Sequence, residues 1–258
     1  MKPNFKTHGF SYLGSVNSSS KIAKTDKVLD IDTFVLYLAP ASLSGHNVCA
    51  KATKECITGC LNTSGRAKMP KSGIAIMNAR INKTKFFYDQ RDEFNRVLFN
   101  EVKLAKGRTE RKGKNFAVRL NGTSDLNPIL FKNEGKNILE TFPNVQFYDY
   151  TKILNRIEVA KKHSNYDLTF SFTGHNWSDC LIALENNVRV AVIFDIKAGQ
   201  PLPETFNGFT VVDGDKYDYR PLDEKNVIVG LRWKNIANKQ ANTEVRNSAF
   251  VVKSGCAQ

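Results

Sequence analysis

Three cysteines, Cys49, Cys56 and Cys60, fall within twelve residues in a C-x6-C-x3-C spacing. Thiolates are the ligands that zinc and iron–sulfur centres favour, so this short stretch concentrates metal-ligand chemistry. It follows closely on the apolar run 33–38, Thr-Phe-Val-Leu-Tyr-Leu, which has the composition of a buried strand. A strand that delivers three thiols to its own exit loop is placed to hold a metal. With Cys180 as a fourth ligand the set becomes an all-thiolate tetrahedron, closed and structural if the metal is zinc. Alternatively, Cys49, Cys56 and Cys60 bind three irons of a 4Fe–4S cluster and leave the fourth iron open to a substrate or cofactor. His46 is a nitrogen donor three residues before Cys49, and Cys256 reads as an incidental tail thiol.

Other residues offer different chemistry. Asp213, Asp215 and Asp218 share a turn and either hold Mg2+ for phosphodiester hydrolysis or serve the turn alone. Lys103, Lys106, Arg108, Arg111, Lys112 and Lys114 flank two glycines and form either a phosphate-contacting flap or a solvated loop. His175 is a candidate general acid or base, and Trp177 beside it a surface for base stacking or a loop anchor. The chain has neither a Gly-Lys-Ser/Thr phosphate loop nor a G-x-S-x-G nucleophile elbow.

The elements that must position these groups alternate in type. Strand-like runs at 33–38, 116–121, 145–150, 167–172 and 188–194 are separated by helical spacing at 52–61, 73–88, 91–105, 135–141, 152–162 and 178–186. After residue 194 the pattern predicts only strands, at 209–212 and 227–232. Alternation of this kind predicts an α/β fold with a parallel sheet, either open and doubly wound or a (β/α) barrel; the expected architecture is an incomplete (β/α) barrel-like parallel sheet with the cysteine-bearing loop after its first strand. The expected organisation is a flexible N-terminal arm over residues 1–30 and a single domain over 31–258, with no internal repeat. Parallel α/β folds gather their functional groups at the C-terminal ends of the strands. One rim is therefore expected to carry the cysteine loop, Asp125, Lys152, His175 and Cys180 together.

Composition bounds the partners. The 258 residues carry a net charge of +13, and 41% are hydrophobic, enough for one large core. A surface field of that sign attracts polyanions, and nucleic acid or a nucleotide is the expected partner. The N-terminus lacks an apolar export segment and no stretch reaches the roughly 18 apolar residues of a membrane span. The expected location is therefore the cytoplasm, where five cysteines stay reduced and read as ligands sooner than as disulfides.

Several motifs together resemble the bacteriophage gene product 88 family. They are the run 38–49 (Leu-Ala-Pro-Ala-Ser-Leu-Ser-Gly-His-Asn-Val-Cys), the run 56–66, Val118 to Asp125, Phe147 to Lys152, Leu168 to Ser171, Asn176 to Cys180 and Val212 to Asp215. The resemblance spans about residue 33 to the Phe250-Val-Val end and implies a viral origin more than a reaction. In outline the chain is also similar to radical S-adenosylmethionine enzymes, partial (β/α) barrels with a three-cysteine cluster loop after the first strand and a glycine-bearing motif after the second. That likeness implies Cys49, Cys56 and Cys60 as cluster ligands and S-adenosylmethionine as cofactor. Asn121, Gly122, Thr123 and Ser171 would then bind the cofactor, and Asp125, Lys152 and His175 would be the catalytic candidates. Lys152 or Arg119 would face a carboxylate or an anionic substrate. The expected function is an iron–sulfur enzyme acting on a nucleotide or nucleic acid. The alternatives are a basic nucleic-acid-binding protein with a structural four-cysteine site and a Mg2+-dependent nuclease.

Overall fold

The computed structural model describes residues 4–10, 13–14, 20–60 and 69–253. Cys256 and residues 1–3, 11–12 and 15–19 of the expected arm lie outside them. Short runs of Val, Ile and Phe form the strands β1 (Ile31–Val35), β2 (Asn115–Arg119), β5 (Gln146–Thr151), β6 (Tyr166–Ser171), β7 (Arg189–Phe194) and β10 (Ile228–Arg232). Strands β3 (Lys132–Asn133) and β4 (Lys136–Asn137) make a separate small hairpin, and β8 (Thr205–Phe206) pairs antiparallel with β9 (Phe209–Asp213). The main sheet runs β1-β2-β5-β6-β7-β10-β9-β8, and every pairing in it except β8 with β9 is parallel.

Helices supply the crossovers that parallel strands need. Between β1 and β2 lie α2 (Lys54–Thr58), α3 (Pro70–Asp89) and α4 (Arg91–Glu110); α5 (Ile138–Thr141), α6 (Arg156–Lys162) and α7 (Trp177–Glu185) connect the later strands. In α4 the buried residues Phe94, Val97, Leu98, Val102 and Ala105 recur at helical spacing and form one face. That face joins the main core with Phe34, Val118, Phe147, Leu168, Phe170, Val190 and Val192, the outward side chains of the sheet. At roughly 25 cal/mol per Å2 of apolar surface removed from water, this helix–sheet layer is the dominant favourable term in the fold.

The opposite, inner face of the sheet is polar. Arg119, Tyr148, Tyr150, Asp167, Thr169 and Arg189 alternate with the core residues just named and point the other way. The fully buried Arg189 donates to Asp167 at 2.7 Å and to the carbonyls of Asp223 and Glu224, plugging the N-terminal end of this face. The C-terminal end stays open.

Three features depart from the sequence expectation. The last strands join the sheet out of chain order: β10 inserts between β7 and β9, so the chain runs outward after β7 and returns. Within the expected arm, Ser20–Leu29 forms helix α1, which packs on β1 while its Thr25 hydroxyl accepts from the Asp218 amide beyond β9. Its buried side chains are few, Ile22 and Thr25, which is why hydrophobic spacing did not reveal it. Finally, α8 (Lys239–Arg246) follows β10 where no further helix was expected; only Val245 among its side chains is buried, so its apolar signal is also weak.

Candidate active-site cleft

Strands β2, β5, β6, β7 and β10 or their exit loops, with the turn after β9, send residues to one cleft at the C-terminal end of the sheet. Its volume is about 250 Å3. β2 and its exit loop supply Arg119, Asn121, Gly122, Thr123, Ser124 and Asp125, β5 supplies Tyr150 and Lys152, and β6 supplies Ser171. Ala191 and Ile193 come from β7, Leu231 and Arg232 from β10, and Asp215 and Asp218 from the turn after β9. The exit of β1 adds Cys49, Cys56 and Cys60, and α1 reaches in with Lys21.

One half of the cleft is the cysteine loop. Cys49 sits half-buried with its sulfur 3.4 Å from the Ala41 amide and 3.8 Å from the Thr123 carbonyl. Burial pushes its thiol up to about 11, which favours the protonated form at neutral pH. The Thr53 hydroxyl caps α2 by accepting from the Cys56 amide at 3.2 Å, which fixes where this short helix begins. Cys56 then packs with Ile193, Trp233, Val245 and Phe250, so the far end of the chain clamps the loop. Gly59 lets the far end pack closely there, since an added Cβ would crowd the Trp233 ring at 3.1 Å and the Glu55 carbonyl at 3.0 Å. Lys152 hydrogen-bonds Cys56; burial disfavours its charge, yet the neighbouring Cys56 and Asp125 outweigh that and hold its ammonium above the ordinary value.

The other half is charged. Arg119 contacts both oxygens of Asp218, at 3.1 and 3.3 Å, and lies over the Tyr150 ring at 4.7 Å. Asp218 also accepts from the Tyr148 hydroxyl at 3.1 Å; although burial works against its charge, Arg119, Lys21 and Arg220 hold it below the usual carboxylate range. Burial pulls Lys21 down to about 8, and burial likewise pushes the Tyr150 phenol up to about 12. Sequence spacing hints at this half only through Arg119 and the Asp213, Asp215 and Asp218 turn; Lys21 and Tyr150 join them from α1 and β5, far away in the chain.

The structure brings together Cys49, Cys56, Cys60, Asp125, Lys152, Asn121, Gly122, Thr123 and Ser171 of the expected site. The roles of several differ from expectation. Asp125 is a positioning residue: its carboxylate accepts from the Thr151 hydroxyl at 2.8 Å and the Lys152 amide at 2.9 Å. The Asn121 side chain is occupied by Ser124, Leu126 and Asp149, and so shapes the loop rather than meeting a cofactor. Burial pushes Asp149 up to about 7. Gly122 answers to packing, since a Cβ would lie 2.6 Å from Tyr37 and Val35. Thr123 donates to the Leu38 carbonyl at 2.6 Å and ties the second loop to the first.

Cys180 and the Mg2+ reading are corrected, and three other candidates, His175, His46 and Trp177, lie outside the cleft. Cys180 is wholly buried on α7 within the main core and does not line the cleft, so the four-thiolate set does not assemble. His175 is exposed outside the cleft, with Glu55 as its charged neighbour, and His46 stacks on Tyr88 at 4.1 Å. Trp177 anchors its loop against Phe172, Phe206 and Phe209. The carboxylates proposed for Mg2+ are bound to guanidinium groups: Arg232 meets Asp213 at 2.8 Å and Asp215 at 3.3 Å, and Arg119 takes Asp218.

The basic segment is also relocated. Lys103, Lys106 and Arg108 ride the last turns of α4, and Arg111, Lys112 and Lys114 lead into β2, at the end of the sheet opposite the cleft. Lys106 pairs with Glu110, Lys112 with Asp32 at 3.6 Å, and Lys114 with Asp26 and Asp30, so much of this charge is matched locally. Among the described residues no three His, Cys, Asp or Glu side chains form a group that could hold a metal ion as they stand, and no helix is long and apolar enough to cross a membrane.

No curated protein and no solved structure matches the chain. A family model does: that of gene product 88 matches residues 14–252 and so takes in the whole sheet and both halves of the cleft. The chain belongs to the phage gene product 88 family.

Proposed function

We propose that the protein is an iron–sulfur enzyme of radical-S-adenosylmethionine-like type acting on a nucleotide or nucleic acid. The observation that carries this reading is the placement of Cys49, Cys56 and Cys60 on one cleft, beside Lys152, at the C-terminal rim of a mostly parallel sheet. The donor set suits the group. Three thiols without a fourth leave one iron of a cubane open, and each thiolate of such a cluster meets its own iron, so the sulfurs need not converge on a single point. When bound, the cluster supplies an electron and an open iron for reductive cleavage of S-adenosylmethionine.

The chain's own residues do the rest. Cys49, Cys56 and Cys60 would hold the cluster as thiolates, and the Lys152 ammonium beside Cys56 would offset part of their negative charge. Asp125 holds the Lys152 backbone in place for that purpose. Trp233 supplies aromatic surface for an adenine ring, and the Asn121-Gly-Thr loop offers backbone polar groups on the facing wall. The apolar Ile193, Leu231 and Phe250 limit water access.

The reading is tested by loading the chain with iron and sulfide without oxygen, adding S-adenosylmethionine and a reductant, and measuring methionine release. Release that depends on all three cysteines is expected. A loaded cluster that leaves S-adenosylmethionine intact would overturn the enzymatic reading.

A further inference from the structure

We propose that the charged half of the cleft is a phosphate subsite, and that the substrate is a small phosphomonoester of nucleotide size rather than a nucleic-acid strand. This rests on the reading of the cleft as the active site and narrows its substrate. Four cations, Lys21, Arg119, Arg232 and Lys234, gather around three carboxylates, Asp213, Asp215 and Asp218. Asp215 alone is shared by Arg232 at 3.3 Å, Lys234 at 3.7 Å and Lys21 at 3.9 Å. One carboxylate spread over three cations leaves positive charge unmatched in a partly enclosed, poorly solvated space, where it acts strongly on an incoming anion.

Two donors strengthen the case. The Arg119 Nε and the Tyr150 hydroxyl are buried without a hydrogen-bond partner, and both residues line the cleft. Leaving such groups unpaired is costly, and the oxygens of a phosphate monoester are acceptors of the right kind for guanidinium, ammonium and phenol together. The lowered affinity of Lys21 for its proton fits the same picture, because a buried ammonium short of counter-charge is stabilised when an anion arrives.

A polymer is a poorer fit. A nucleic-acid strand needs positive charge that continues along its backbone, whereas the basic run from Lys103 to Lys114 lies at the far end of the sheet and pairs with Asp26, Asp30 and Asp32. The cleft volume of about 250 Å3 also suits a compact ligand.

The test titrates inorganic phosphate, then a nucleoside 5′-monophosphate, into the metal-free full-length chain by calorimetry. Saturable one-to-one binding is expected, tighter for the monophosphate, and about tenfold weaker in Lys21→Gln and in Lys234→Gln. Cys56→Ser should bind phosphate as the parent does, so loss of the cluster and loss of this subsite are separable. No saturable phosphate binding, or binding unchanged in both lysine variants, overturns the proposal. So does displacement of phosphate by a single-stranded oligonucleotide lacking terminal phosphates.

Discussion

The two halves of the cleft are built in opposite ways. The thiol half comes from one continuous stretch, Cys49 to Cys60, with Lys152 added from the next parallel exit loop but one. The charged half is assembled from α1, β2, β5, the turn after β9 and β10, segments separated by up to 193 residues in the Asp218–Thr25 contact. Chemistry that needs several ligands on one centre favours a local loop, whose internal geometry survives small shifts of the sheet. Recognition of an anion needs charges from several directions, and curling of the sheet supplies them. In the first half burial keeps the Cys49 thiol protonated and Lys152 is the charged group beside it; the second half carries positive charge that its own carboxylates do not fully match.

The comparison is broken most severely through the cysteines. Cys49→Ser, Cys56→Ser or Cys60→Ser should each abolish iron retention after reconstitution, while Cys180→Ser retains it, because Cys180 lies in the core; iron per chain is the readout. Next comes the charged half. Arg119→Met leaves Asp218 buried beside Tyr148 without its guanidinium and should cost about 3–5 kcal/mol in urea unfolding. Adding Asp218→Asn should recover much of that loss, since the uncompensated charge goes with it.

A subtler contrast concerns Lys21. Its folded value near 8 lies below the ordinary lysine value of 10.5, so the unfolded chain binds more protons between those two pH values. The ammonium therefore burdens the folded state below pH 8, and this burden is relieved as pH rises from about 8 to 10.5. Lys21→Met should raise the urea midpoint at pH 7 and weaken phosphate binding about tenfold, with the stability gain fading by pH 10.5. Phosphate affinity of the parent chain should fall as pH rises through about 8, as Lys21, facing Asp218, Lys234, Arg220 and Asp215, gives up its proton. The smallest effect is expected at Lys112, exposed at the far end of the sheet: Lys112→Gln should change stability by less than about 0.5 kcal/mol and leave the cleft untouched.

The sequence made the thiol half and the parallel sheet legible because both depend on local pattern. Strands such as Val188 to Phe194 announce themselves by β-branched and aromatic content, and α4 by its periodic apolar face. The cysteine loop needed only spacing. What stayed hidden depends on distant partners: α1 buries too few side chains to show a period, and α8 likewise. Sequence position placed Cys180 and His175 on the same rim as the cysteine loop, but α7 turns Cys180 into the core and leaves His175 outside. The triad Asp213, Asp215 and Asp218 looked like a cation site only until Arg232 and Arg119, 14 or more residues away along the chain, were seen to occupy it.

The central claim, that Cys49, Cys56 and Cys60 hold an iron–sulfur cluster with one open iron, is tested most directly by iron and acid-labile sulfide analysis of the chain purified without oxygen, with an absorption spectrum. About four iron and four sulfide per chain, and a broad visible band that shifts on adding S-adenosylmethionine, are predicted. One zinc per chain with no sulfide would contradict the account.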